Sequence, residues 1–459
     1  MQTIIKNGLL VLTEGCQRAD ILLADGKIAE IGSDLQAANA DIYDAEGCLV
    51  FPGFIDAHTH LDSKDEPCPT AADFSNGSKA ALLGGTTTVL DCVSQISSHG
   101  LQKGLGIWFD LSAEKSYCDY GFHVTISTWN NKIAAELPKL VAKGITSFRV
   151  NMAAAAPRLS DAQIYEICRQ LRLLSSLLLL HTENGDLVDV LQERLVKQGY
   201  SGPETHPLSR PGYLEAEAVS RAWAIAAAAE TVPYITNLSS AHGLEVALAA
   251  RARGQKVWLE TCPQYLFLTE ELYRQPGLAA AKYVCSPPLR SQADQSALWQ
   301  AVIKGDIDTI ASDHHNFNFK EDKELGQADF RKIPSGLPGV EQRVLLMYSR
   351  GVATGKISPE RLAALAAETP ARIFGLYPRK GILRVGSDAD VVIIERSTPY
   401  PIQAATQAQN VDYTPYEGIE LTARIRAVYL RGQQVVEDGK LNQEQPQGQF
   451  LQRGPSAGV

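Results

Sequence analysis

His58 and His60 stand two residues apart at the end of the run FPGFIDAHTH, whose composition reads as a β-strand. Alternation along a strand sends both imidazoles to one face. Two further strand-like runs end in residues able to hold a metal: LLLLHTE carries His181 and DTIASDHH carries Asp313. Three imidazoles and a carboxylate suit a borderline divalent ion, zinc above all. Such an ion lowers the pKa of bound water to around 7 and polarises a carbonyl. Asp313 would ligate it, take the water's proton and return that proton to a leaving nitrogen. A fourth run, ITSFRVNM, places the guanidinium of Arg149 near its own end. Alone, an H-x-H pair or an Asp after a strand carries little information, since such an Asp often caps the next helix. Their shared place at strand ends is what makes them a set.

The elements that must position them are legible in the alternation of texture. Eight strand-like runs, FPGFIDAHTH, TTTVLDCVS, GFHVTIST, ITSFRVNM, LLLLHTE, PYITNLSS, KVWLETC and DTIASDHH, alternate with helical stretches such as SDAQIYEICRQLRLLS, LEAEAVSRAWAIAAAAE and GLEVALAARARG. Eight βα alternations predict a TIM barrel over 51–379, an α/β fold with its chemistry at the C-terminal strand ends. Residues 1–50 and 380–440 read instead as short strands and turns, with a hairpin signal at Asp25-Gly26. These two ends are expected to form one small β-sandwich side domain. The tail, 441–459, is polar and rich in Pro and Gly, and reads as an extended arm or as disorder.

Composition narrows the function. The chain has 459 residues, 45% of them hydrophobic and 21% charged, as in an ordinary globular protein. Its net charge of −9, with no Lys/Arg cluster, argues against nucleic acid. Eight scattered cysteines without a C-x-x-C pair read as reduced thiols. The N-terminal run looks like a strand rather than a signal peptide. No apolar run reaches the ~18 residues of a membrane span. A cytoplasmic location with no membrane partner is expected.

Several long motifs resemble the cyclic amidohydrolases: FPGFIDAHTHLD, HTENGDLVDVL, VWLETCPQYL, KYVCSPPLR, SDHHNFNFK, KELG and FGLYPRKGILRVGSDADVVI. The likeness runs from about residue 3 to 440 and is greatest to dihydropyrimidinase and hydantoinase, with allantoinase and dihydroorotase more distant. It implies a TIM barrel with a β-sandwich side domain, opening of a cyclic amide, and a homotetramer or homodimer. It also implies a metal pair. The H-x-H histidines match His58 and His60, the strand-five histidine His181, and the strand-eight aspartate Asp313. The carboxylated lysine that bridges the metals falls on Arg149, however, and the strand-six histidine falls on Asn237.

A guanidinium cannot become a carboxylated bridge and stays charged. Both departures remove ligands of the second metal and spare the first, so one zinc ion on His58, His60, His181 and Asp313 is expected. Arg149 then either binds a substrate carboxylate or oxyanion, joining Asp313 as a catalytic residue, or pairs with Asp313 or another acid. Other departures lie in the substrate wall. The family's oxyanion-binding tyrosine is Ala154, the asparagine of its substrate loop is Ser335, and a common Cys-Pro is His315-Asn316. The loop after H-x-H reads Ser63-Lys64-Asp65-Glu66, while Ser286 is kept. Candidate substrate contacts are Asp62, Asn237, Ser286, His315 and Ser335. Two alternatives stand beside the one-metal enzyme. One is a catalytically silent scaffold or partner subunit without metal; the other is a two-metal enzyme rescued by His315.

Overall fold

The computed structural model describes residues 2–63, 69–95, 100–442 and 444–457. Its centre is an eight-stranded parallel sheet in sequential order: Phe54–Thr59, Thr86–Val93, Asp119–Thr125, Ser147–Asn151, Leu177–His181, Pro233–Ile235, Trp258–Thr261 and Thr309–Ile310. Each strand falls on one of the eight runs read from the sequence, the third beginning two residues earlier than its run, at Asp119. The sheet closes where its first and last strands meet: Asp313 N–H donates to the His58 carbonyl and His60 N–H to that of His314, both at 3.0 Å. Closure therefore falls on the residues that carry the chemistry.

Helices follow the strands where apolar residues recur at helical spacing. Asp161–Leu173, for example, starts on a capping box formed by Ser160 and Gln163 and buries Ile164, Ile167, Cys168 and Leu171. AWAIAAAAE lies in the helix Gly212–Ala228, with one face packed on the barrel. No helix among the described residues is long and apolar enough to cross a membrane. The seven described cysteines are free thiols.

Both chain ends build the side domain. One sheet runs in the order Lys27–Gly32, Asp20–Ala24, Gln2–Lys6 and Asp41–Asp44; a second, seven-stranded sheet joins Leu9–Leu12, Gly15–Arg18 and Leu49–Pro52 to four strands between Val391 and Leu441. Ile5, Ile21 and Ile28 of the first sheet pack against Leu10, Val50, Val391, Ile393 and Tyr429 of the second. The Asp25-Gly26 hairpin forms as read, with φ of 50° and 77° at its two turn residues. Gly53 hands the chain from sandwich to barrel. A Cβ there would meet Thr87 Oγ1 at 2.2 Å and Asp390 Cβ at 2.7 Å, so only glycine permits the approach.

An ion cluster ties the two parts together. Lys380 Nζ lies 2.6 Å from Asp119 of the third barrel strand, 2.6 Å from Asp390 and 3.1 Å from Asp388. Arg431 pairs with Asp119 from the other side.

The tail is an extended arm packed on the floor of the barrel. Leu451 N–H donates to the Tyr120 carbonyl at 2.7 Å, and Arg453 N–H to that of Gly144 at 3.2 Å. Leu451 is buried among Ile55, Leu90, Leu179, Tyr234 and Phe374. The polar stretch before it conceals this anchoring, because Phe450 and Leu451 are two apolar residues in a hydrophilic run. The Arg453 guanidinium donates to Ser147 Oγ at 2.8 Å from inside the barrel, where burial pushes its pKa down to about 9.

Candidate metal centre and active site

The first barrel strand does not alternate strictly. Ile55 and Ala57 face the floor cluster, but the register with the second strand slips between Asp56 and Thr59, and His58 and His60 both reach the mouth. Their Nε2 atoms lie 3.3 Å apart. Asp313 Oδ1 lies 3.3 Å from His58 Nε2 and 3.5 Å from His60 Nε2. His58 Nδ1–H faces the buried Glu260 carboxylate at 2.8 Å, which turns Nε2 toward the cluster. Burial alone would lower the His58 pKa, but the charges of Asp313 and Glu260 hold it well above the ordinary value. Asp313 is likewise opposed by burial, yet its carboxyl is held well below the usual range, chiefly by His58 and by hydrogen bonding to His60.

His181, the fourth ligand expected from the sequence, makes other contacts here. Its Nδ1 faces Asn237 Oδ1 at 3.1 Å and its Nε2 faces Glu183 Oε2 at 3.0 Å, so both ring nitrogens are engaged. Glu183 is held in turn by Arg210 at 2.5 Å; despite burial, that charge and the His181 contact bring its pKa down to about 2. Asn237 completes the chain by donating from Nδ2 to Asp313 Oδ2 at 2.9 Å.

A cavity of about 340 Å³ opens above these residues. Arg149, Asn151, His181, Asn237, Ser286, Asp313, His315 and Ser335 line it, together with Arg210 and Arg331, two cations that the sequence reading did not single out. Arg149 forms no ion pair with an acid among the described residues, and its buried Nε has no hydrogen-bond partner there. Ser335 donates to Ser286 Oγ at 2.9 Å. His315 stacks on His60 at 3.8 Å and lies against Phe317. Its Nδ1 is 4.0 Å from Asp313, and burial with the His60 charge keeps its pKa well below the ordinary value. Gly336 lets it sit there, since a Cβ on that residue would meet His315 Cβ at 2.4 Å.

Asp62, expected as a substrate contact, is buried and is not among the described residues lining the cavity. Of the altered loop Ser63-Lys64-Asp65-Glu66, Ser63 lines the cavity and the other three residues lie outside the described residues.

One residue of chemical consequence carried no signal beyond its position. Cys92 is the last but one residue of the second barrel strand, and its Sγ lies with a ring nitrogen of His58 and one of His60 so that all three are within 4.8 Å of one another. Burial would raise the thiol pKa, but the adjacent His60 and His58 bring it down to about 5. Glu183 and Glu260 also went unread, although each lies within two residues of the end of a barrel strand.

The donors present fit one divalent ion between His58, His60 and Asp313. They do not fit a second, because Arg149 and Asn237 supply a cation and an amide where anionic and imidazole donors would be needed. A parallel eight-stranded barrel with an H-x-H on its first strand, an aspartate after its eighth and a two-ended β-sandwich defines the amidohydrolase class of barrels. The chain belongs to the amidohydrolase family, whose profile matches residues 49–435, and within it to the hydantoinase-like cyclic amidohydrolases. It is 40% identical to a D-hydantoinase of Geobacillus stearothermophilus, covering 99% of this chain and 97% of that one. It is 38% identical to a D-hydantoinase of Ralstonia pickettii, covering 99% of each chain. Among solved structures it superposes on a dihydropyrimidinase from Brevibacillus agri with a TM-score of 0.98 at 37% identity, over 100% of both chains.

Proposed function

We propose that this chain is a one-metal cyclic amidohydrolase that opens a cyclic amide, ureide or amidine bearing an anionic group, or closes such a ring in reverse. The observation that carries the reading is the pairing of two features in one cavity. His58, His60 and Asp313 converge within 3.5 Å, while Arg149 faces the same space without an acid partner among the described residues. A bound divalent ion such as zinc would polarise the ring carbonyl and bring water toward a pKa of about 7. Asp313 is placed to accept the proton of the attacking water and pass it to the leaving ring nitrogen. Asn237 holds that carboxylate in orientation through its 2.9 Å hydrogen bond. Arg149 binds the substrate's carboxylate or developing oxyanion, and Ser286, Ser335 and His315 form a polar wall around the ring.

The silent-scaffold reading needs a guanidinium locked onto an acid as a plug. Arg149 has no such lock among the described residues, which favours the enzyme. The reading extends to a cytoplasmic homotetramer or homodimer.

Metal content per chain, measured after exposure to zinc, tests the proposal. One ion, lost in H58A, with ring opening of a carboxylated cyclic ureide abolished in D313N, is the expected result. No ion under any loading would overturn it in favour of the scaffold.

A further inference from the structure

His58, His60 and Asp313 offer a divalent ion three protein ligands, His181 is engaged by Asn237 and Glu183, and a fourth protein ligand is compatible with bound water in a five-coordinate shell. From the position of its sulfur, we infer that Cys92 is a ligand of this ion, making the centre a thiolate site with two imidazoles and a carboxylate. The inference rests on the one-ion reading above and adds to it the identity of a donor.

Three observations support it. First, Cys92 Sγ and the two ring nitrogens form a fully buried group, all within 4.8 Å of one another. Tetrahedral zinc bound at about 2.3 Å to sulfur and about 2.0 Å to nitrogen sets N···S near about 3.6 Å. The thiol therefore has to close by at most about 1.2 Å, within reach of a side-chain rotation.

Second, the surroundings of Cys92 differ from those of a packing cysteine. Cys285, also buried, donates its thiol to the Pro287 carbonyl at 3.3 Å. Cys92 instead faces two imidazoles, one of them set by Glu260 so that Nε2 looks into the cluster.

Third, charge argues for an anionic donor. Arg149 brings a fixed cation into the cavity that Asp313 also lines. One thiolate together with Asp313 neutralises a divalent ion without an anion from residue 149. A thiolate also shifts preference toward zinc, cobalt or cuprous ions and away from magnesium or manganese.

The test uses the full-length protein loaded with metal alone. Zinc X-ray absorption on the wild type should show one sulfur scatterer at about 2.3 Å beside nitrogen and oxygen. The cobalt-substituted protein should show a near-ultraviolet sulfur-to-cobalt charge-transfer band. In C92S that band should vanish while the visible cobalt bands persist. Zinc affinity should fall by more than the ~10–100-fold that the loss of an outer partner costs. Bound metal with no sulfur shell would overturn ligation by Cys92 and leave the one-ion reading standing. A sulfur shell that survives in C92S would overturn it too, by assigning the sulfur to another residue. No bound metal under any loading would overturn both. The wild-type absorption measurement decides the matter even if C92S does not fold.

Discussion

Asn237 donates from Nδ2 to Asp313 Oδ2 at 2.9 Å, so the sixth barrel strand meets the eighth through a neutral amide. The resemblance puts a histidine ligand at this position; here an amide orients a carboxylate instead. The other side of the same amide occupies His181 Nδ1 at 3.1 Å. One side chain thus engages both Asp313 and His181.

Installing the ligands that the resemblance implies should restore a second site. In R149K/N237H, loaded with zinc and bicarbonate, metal content is expected to rise from one ion to two per chain, with His181 freed from the amide. A content that stays at one would count against residues 149 and 237 as the remnants of a second site.

Arg149 contributes binding if it meets an anionic group on the substrate. The variant R149M should raise KM for a carboxylated ring by about 10- to 100-fold, the usual value of a charge-assisted hydrogen bond. Metal content should stay at one ion. An equal effect on a neutral ring of the same size would assign Arg149 to packing instead.

Glu183 links acid stability to the cavity wall. Burial opposes its ionisation, but Arg210 and His181 bring its pKa to about 2, below the ordinary value of 4.5. Its contribution is therefore fully present above pH 4.5 and is lost as pH falls toward 2. Wild type should be more stable than E183Q above pH 4.5, and the gap in Tm should close on acidification. A gap independent of pH would refute the assignment.

Lys380 holds three aspartates from the barrel and the sandwich. K380M leaves those carboxylates facing one another in a buried space and should cost about 3–5 kcal/mol. Denaturant unfolding would measure it. A loss under about 1 kcal/mol, the range of exposed pairs, would mean that the cluster does not join the two parts.

Much of this protein is determined locally. Strand and helix periods, the Asp25-Gly26 turn and the grouping of both chain ends into strands follow from patterns a few residues long. The H-x-H pair and Asp313 also come from local signals, because closure of a barrel brings its first and eighth strands together whatever else the chain does. The two departures at Arg149 and Asn237 are visible in the sequence for the same reason, since each sits at a strand end.

Depth and register are a different matter, and tertiary structure alone decided them. Alternation tells which face a residue takes, but the slip between Asp56 and Thr59 re-aims His58 and His60 in a way that spacing cannot show. That slip and the neighbouring strand bring Cys92 beside the imidazoles, 34 residues from His58 along the chain. His181 ends its strand as expected, yet Glu183 and Asn237 hold it away from the cluster, because hydrogen bonds to its two nitrogens depend on partners from two strands. The same holds for the tail, where Phe450 and Leu451 find a barrel floor that exists only once the strands have closed.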